Sequence, residues 1–324
     1  MRSYEKEPQN RERSEERFQR KQRRERQAKM RRRRIIFFLV CLVAVVLIAI
    51  LVGKLASGGD DGGASQTASV PSQPPGPTAR PLPDLPPASE QNNLVKLAED
   101  AKGAPDKKIC YLTFDDGPTE QVTPRILDTL KQYNVKATFF MMGKMIDANR
   151  DLAKRVYEEG HLLAGHSYSH DYDALYATGE SFMAEVNKAH DLIKEITGQP
   201  DPFKIMRFPG GGYNAGDHAA EKQTYKELLK QNGFYYADWN ALNGDAEGGN
   251  RSAEQLLARI KQTAVGNNIV VLMHDAAAKK TTADALPSVI EYLRGQGYEF
   301  RCLDEIPYYS DGAATSPTSS LVMQ

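Results

Sequence analysis

The chain has 324 residues, 26% of them charged, a formal net charge of zero and three cysteines. So few cysteines exclude a small disulfide-framed scaffold, and the length is ample for one large core plus accessory segments. The neutrality conceals two opposed parts, because residues 1–34 carry 15 Lys/Arg against 6 Glu while the remainder carries 27 basic and 36 acidic groups, an asymmetry that speaks for topology rather than overall nucleic-acid affinity.

The basic tail, residues 1–34, is poor in interleaved aromatic residues and abuts a long apolar run. It reads as a cytoplasmic tail touching anionic lipid headgroups, with no nucleic-acid partner. The uninterrupted run Ile35–Val52, at ~1.5 Å per residue, spans roughly 27 Å, just enough for a hydrocarbon core of about 30 Å. A cleaved signal peptide would carry only about 7–15 apolar residues. Residues 35–53 are therefore expected to form an uncleaved transmembrane helix. Arg31 to Arg34 flank one side and only Lys54 the other, which puts the N-terminus in the cytoplasm and the rest outside. Residues 54–106 follow as a Pro/Gly/Ser-rich linker with a short helical lead-in over residues 92–102. The linker cannot bury enough apolar surface to order itself, and extended at ~3.1 Å per residue in its Pro-rich half it reaches tens of Å from the bilayer.

A folded domain is expected over residues 107–308, with a disordered tail at 309–324. Strand patterns at 109–114, 136–142, 161–164, 204–208, 233–239, 268–273 and 298–303 alternate with helix patterns at 123–133, 147–159, 179–197, 219–232, 252–265 and 281–295. Thr123-Pro124 gives the first helix an N-cap and N1 signal, while Gly160, Gly198 and Gly233 close later ones. Seven β/α repeats argue for a parallel sheet closed into a barrel rather than an open doubly wound sheet. Cys110 and Cys302 fall in the first and last strands; an exported domain could bridge them, although two buried thiols are the simpler reading.

Chemistry concentrates where three strands end. Thr113-Phe114-Asp115-Asp116-Gly117-Pro118 closes the first strand, His166-Ser167-Tyr168-Ser169-His170 the third, and Leu272-Met273-His274-Asp275 the sixth. Two imidazoles and a carboxylate make a facial site for a divalent ion with open positions for water and substrate. One carboxylate and one imidazole remain for a general base and a general acid. Asp115 and Asp116 are adjacent on an extended segment, so their side chains are expected on opposite sides. Arg207 opens Arg207-Phe208-Pro209-Gly210-Gly211-Gly212, and a cation buried there requires a carboxylate partner. Tyr213 and Trp239 are candidates for stacking on a ring of the substrate, with core packing an equal alternative for the single Trp.

On these strings, found in order between about Lys108 and Pro307, the sequence resembles the polysaccharide deacetylases of carbohydrate esterase family 4. The fourth motif region is the weak match, since Asp245 is followed by Ala246 and Trp239 lies six residues earlier. The resemblance implies a distorted (β/α)7 barrel, preceded here by the transmembrane helix and disordered linker. It implies metal ligation by Asp116, His166 and His170, Asp115 as the base that activates the attacking water, and His274 as the acid that protonates the leaving amine. Arg207 would orient the base and Asp245, with Asp238 as competitor, would hold Arg207; Leu272 would line the acetyl pocket. The ion implied is Zn2+, with Co2+, Mn2+ or Ni2+ as alternatives. The expected function is N-deacetylation of a cell-wall amino sugar polymer, foremost peptidoglycan N-acetylglucosamine, by an enzyme at the cell membrane with its catalytic domain outside. Alternatives are N-acetylmuramic acid, chitin oligomers, O-acetyl esters, or an inactive wall-binding protein. No protein partner is expected.

Overall fold

The computed structural model describes residues 85–100, 107–213 and 218–306. The basic tail, the expected membrane span, most of the linker and the C-terminal tail lie outside the described residues. No helix among the described residues is long and apolar enough to cross a membrane.

Strands β1 Lys108–Asp115, β2 Thr138–Met141, β3 Leu162–Gly165, β4 Ile205–Met206, β5 Tyr235–Tyr236, β6 Ala241–Leu242, β7 Asn268–His274 and β8 Tyr298–Phe300 form one parallel sheet. The helices are α1 Leu94–Asp100, α2 Thr123–Gln132, α3 Gly143–Ala148, α4 Arg150–Glu158, α5 Tyr172–Leu175, α6 Gly179–Thr197, α7 Ala219–Gln231, α8 Ala253–Thr263 and α9 Lys280–Gly295. Sheet order is β5-β4-β3-β2-β1-β7-β6, with β8 on β1 as well. β1 has room for three partners because β2 joins it only from Thr113 upward, while β8 pairs with Lys108–Cys110. Both central strands, β1 and β7, are apolar along nearly their whole length and buried on both faces, the pattern parallel strands show when covered on each side.

Alternation along these strands sorts the core into two layers. Cys110, Leu112, Phe114, Ile269, Val271 and Met273 face the surrounding helices. Ile109, Tyr111, Phe140 and Val270 point the other way, into a cluster completed by Leu94, Val95, Leu97 and Ala98 of α1. The lead-in is thus built into the barrel interior. Leu85 and Ala88 pack against the same cluster, and Tyr235 donates to the Pro86 carbonyl at 2.6 Å.

Three local expectations are corrected. The barrel does not close: β5 and β6 are the two ends of the sheet and do not pair with each other, and β6 is an eighth strand lying beyond the 233–239 pattern, where no strand is expected from the sequence. Residues 237–240 cross the gap, and the carbonyls of Ala237 and Asp238 accept from the Arg207 guanidinium rather than from a neighbouring strand. The single helix expected over 147–159 is two, broken at Asn149 (φ −137°), whose Nδ2 donates to the Pro118 carbonyl at 3.0 Å. Thr123 is the first residue of α2 rather than its cap; its Oγ1 accepts from the Thr119 amide and donates to Asp275. Cys110 and Cys302 are both buried thiols; burial pushes Cys110 up, and Cys302 Sγ donates to the Ala137 carbonyl.

Candidate active site

Every motif residue emerges at the C-terminal end of a strand. β1 and β7 are in register, so Asp115 lies beside His274. β3 pairs with β4 at Gly165 and Met206, so the next residues, His166 and Arg207, also lie side by side. Parallel strands put all these ends on one rim.

Asp115 and Asp116 do not face apart. Asp116 adopts a left-handed backbone (φ 76°), so the alternation of an extended strand stops between them. Both carboxylates converge on His166, whose Nε2 lies 3.9 Å from Asp115 Oδ2 and 3.5 Å from Asp116 Oδ1. His170 Nε2 lies 3.5 Å from the same Asp116 oxygen. Asp116 Oδ1 is buried and has no hydrogen-bond partner. A tetrahedral ion with ligand bonds near 2.1 Å separates its ligand atoms by about 3.4 Å. The three side chains therefore fit a zinc-like ion, and the orphan oxygen is what such an ion satisfies. His166 is prepared for ligation: its Nδ1 is 2.9 Å from the Arg207 carbonyl, which sets the tautomer and leaves Nε2 as the lone pair. Burial outweighs the two carboxylates and holds its pKa below the ordinary value, keeping the ring neutral.

Arg207, wholly buried, ties the other carboxylate down. Its Nη1 donates to Asp115 Oδ1 at 2.8 Å and to Thr113 Oγ1 at 2.7 Å, while Nε and Nη2 reach the Ala237 and Asp238 carbonyls at 2.8 Å each. The guanidinium also lies 4.1 Å over the Phe140 ring. Here the structure overturns one assignment: neither Asp245 nor the Asp238 carboxylate holds Arg207. The strand gap supplies carbonyls in their place. Asp238 instead accepts from the Gly212 amide at 2.6 Å, and burial raises its pKa.

Asp245 belongs to His274. Its Oδ1 is 2.7 Å from His274 Nδ1, and its Oδ2 accepts from the His274 amide at 2.9 Å and from Thr282 Oγ1 at 2.8 Å. Burial disfavours the imidazolium, but the Asp245 bond and charge, helped by Asp115 and Asp116, outweigh it and push His274 up to about 9. Desolvation likewise opposes ionised Asp245, yet its bonds to His274 and Thr282 hold it below the usual carboxylate value. The site thus contains two ion-paired couples, Arg207–Asp115 and Asp245–His274, beside the Asp116, His166 and His170 triad that could hold an ion.

Leu272 is buried in β7, two residues before His274. Tyr213 is 44% exposed and meets the Trp239 ring edge-on at 5.3 Å, with its hydroxyl on the Trp239 carbonyl. Trp239 is only half-buried and so keeps a face outside the core. Two residues carried too little sequence signal to be assigned. Tyr172 is 38% exposed and packs edge-on against His170 at 5.4 Å, but stands outside any motif. Asp275 fastens the first motif from beneath: its amide donates to the Asp115 carbonyl at 3.0 Å, its carbonyl accepts from Thr119 Oγ1 and its carboxylate from Thr123 Oγ1. That carboxylate presses on Gly117, where any Cβ would sit 2.0 Å from Oδ2, so only glycine fits. Complete burial, with the fields of Asp116 and Asp115, pushes Asp275 up to about 7.

The family model for polysaccharide deacetylase matches residues 102–228. The peptidoglycan-N-acetylglucosamine deacetylase PgdA of Listeria monocytogenes is 35% identical over 212 residues, covering 65% of this chain but 41% of that protein, so the chain spans under half of its length. The peptidoglycan-N-acetylmuramic acid deacetylase PdaA of Bacillus subtilis is 32% identical over 254 residues, covering 76% of this chain and 91% of that one. Among solved structures, a Streptococcus mutans CE4 esterase aligns with a TM-score of 0.57 at 32% identity, covering 64% of this chain and 89% of that chain.

Proposed function

The chain belongs to the polysaccharide deacetylase family, carbohydrate esterase family 4, and on that premise we propose that it is a metal-dependent hydrolase removing N-acetyl groups from peptidoglycan N-acetylglucosamine. The observation that carries this reading is the pair of opposed couples, Arg207–Asp115 and Asp245–His274, flanking the Asp116, His166 and His170 triad. A divalent ion held by that triad, Zn2+ foremost, supplies Lewis-acid polarisation of the acetyl carbonyl and acidification of the attacking water. Asp115, oriented by Arg207, accepts the proton from that water as its oxygen adds to the carbonyl carbon. His274 carries a proton at neutral pH because of Asp245, and delivers it to the sugar nitrogen as the C–N bond breaks. Acetate and a free amine result. An amine leaves poorly until protonated, which is why the acid matters as much as the base.

Leu272 lines the acetyl pocket in this scheme, and Tyr213 with Trp239 offers an aromatic wall to the sugar. N-acetylglucosamine is favoured by the Listeria relative's named activity, and N-acetylmuramic acid by that of the Bacillus relative. The apolar run at 35–52 and the Pro-rich segment after it support an enzyme anchored in the cell membrane and facing the wall. Acetate release by the purified protein on peptidoglycan and on chitin oligomers, with and without chelator, tests the reading, and analysis of the deacetylated sugar identifies the substrate. Full activity in strong chelator with no bound metal would overturn it.

A further inference from the structure

The loop between the two histidine ligands is itself held by a carboxylate that the reaction does not use. Glu185, on the second turn of α6, accepts through one oxygen, Oε2, from the amides of Tyr168 at 3.0 Å and Ser169 at 2.7 Å. The loop needs such a hold, because Ser167 and His170 both have left-handed backbones (φ 58° and 56°). From the other side, the amides of Gly143 and Lys144, opening α3, donate to the carbonyls of Ser167 and Tyr168 at 3.0 Å each, and Lys144 Nζ reaches the Ser169 carbonyl at 2.6 Å. Gly143 is required there, since a Cβ would lie 2.4 Å from the Tyr168 ring. Ser167 Oγ accepts from the His170 amide at 3.0 Å and closes the turn. Helix α3 therefore takes the loop's carbonyls and Glu185 takes its amides.

We propose that Glu185 is a positioning residue for the metal centre, fixing the Tyr168–Ser169 peptide so that the His166 and His170 Nε2 atoms converge on Asp116. The proposal rests on the metal site described above. A ligand pair separated by three loop residues closes on an ion only if the intervening backbone holds one arrangement; freed, it samples others, and the ordering cost is taken from metal affinity. Groups that orient ligands in this way typically account for 10–100-fold in metal affinity.

The test is direct titration of the full chain with Zn2+ against a competing chelator, with the Co2+ absorption spectrum as a reporter of ligand geometry. Glu185→Ala is expected to bind the metal 10–100-fold more weakly, with an altered Co2+ spectrum, and to regain turnover at saturating metal. Glu185→Gln keeps an acceptor oxygen for the same two amides and is expected to restore affinity to within a few-fold. Lys188→Ala removes the ammonium 3.5 Å over the Tyr168 ring without touching those bonds, and should leave affinity unchanged. Should E185A not fold, Glu185→Asp, one methylene shorter, carries the same expectation as E185A. Unchanged affinity in the folded Ala or Asp variant overturns the proposal. So does a loss in E185Q as large as that in E185A, which would assign the effect to charge. A parent chain that binds no metal, matching His166→Ala, would sink the metal reading itself, so the two failures are distinct.

Discussion

Asp115 and Asp116 are neighbours in sequence with separate tasks, and their environments divide the labour. Asp115 faces Arg207 in the core, whereas Asp116 offers an unpartnered oxygen to two imidazoles. Asp116→Asn, His166→Ala and His170→Ala should each lose metal and activity together, read by metal content and acetate release. Asp115→Asn should retain metal and lose roughly 10²–10⁴-fold in turnover, the usual worth of a positioned base. Asp115→Asn losing metal while Asp116→Asn keeps it would reverse the two roles. His274→Ala should retain metal and harm amide substrates more than activated esters, whose leaving groups need no proton; equal losses would remove it as the acid. The His274–Asp245 couple also sets a pH window. A folded His274 value near 9, above the ordinary 6.5, means that the His274 contribution is complete below about 6.5 and fades as pH rises through about 9, while the lowered Asp245 keeps the couple ionised until the pH falls below the usual carboxylate range. Activity that needs protonated His274 has its alkaline limb there, drawn lower once a dication sits nearby. Asp245→Asn removes the charge that most raises His274 and leaves burial, which lowers it, opposed only by Asp115 and Asp116. The alkaline limb of kcat/KM should therefore move to lower pH; a limb that stays put would detach it from His274.

Elements far from the chemistry carry some of the site's precision. α6 is legible in sequence to both ends, because Thr178 and Ser181 cap each other reciprocally and Phe182, Val186, Ala189 and Ile193 make one apolar stripe. That same helix delivers Glu185, whose role no local pattern announces. Strands β1 and β7 were equally legible as continuous apolar runs. β4, β5 and β6 are two residues each, too short for periodicity to show, and no sequence pattern marks β6. The break between α3 and α4 arises from a bond Asn149 makes 31 residues away, invisible to any local reading. α1 belongs to the catalytic fold although it precedes the first motif. Leu94 is fully buried in the barrel interior, so Leu94→Ala should destabilise the domain by about 2–5 kcal/mol, measured by denaturant unfolding. A loss under ~0.5 kcal/mol, the range of surface substitutions, would mean that α1 is only loosely attached.

At the scale of the whole molecule, the anchor reading predicts a clean separation of address from activity. Removing residues 1–84 should release the protein from membranes while keeping deacetylation of soluble oligomers, because the described core starts at Leu85. Full-length protein found in the soluble fraction after cell disruption would refute the anchor. The sequence by itself determined which residues meet. An Asp-Asp, a His pair and a late His each follow an apolar run, and parallel strands carry such ends to one rim whatever the details between them. It also determined the α/β rhythm, since burial on both faces leaves an unmistakable apolar strand. Tertiary structure alone decided the pairings. Arg207 required a carboxylate, with Asp238 and Asp245 on offer, and spacing could not say which would hold it. The assembled site settles it: Arg207 takes the Asp115 carboxylate together with backbone carbonyls at the gap between β5 and β6, and Asp245 is left for His274. An unpaired carbonyl is a property of the assembled sheet, and no residue type in the sequence encodes it.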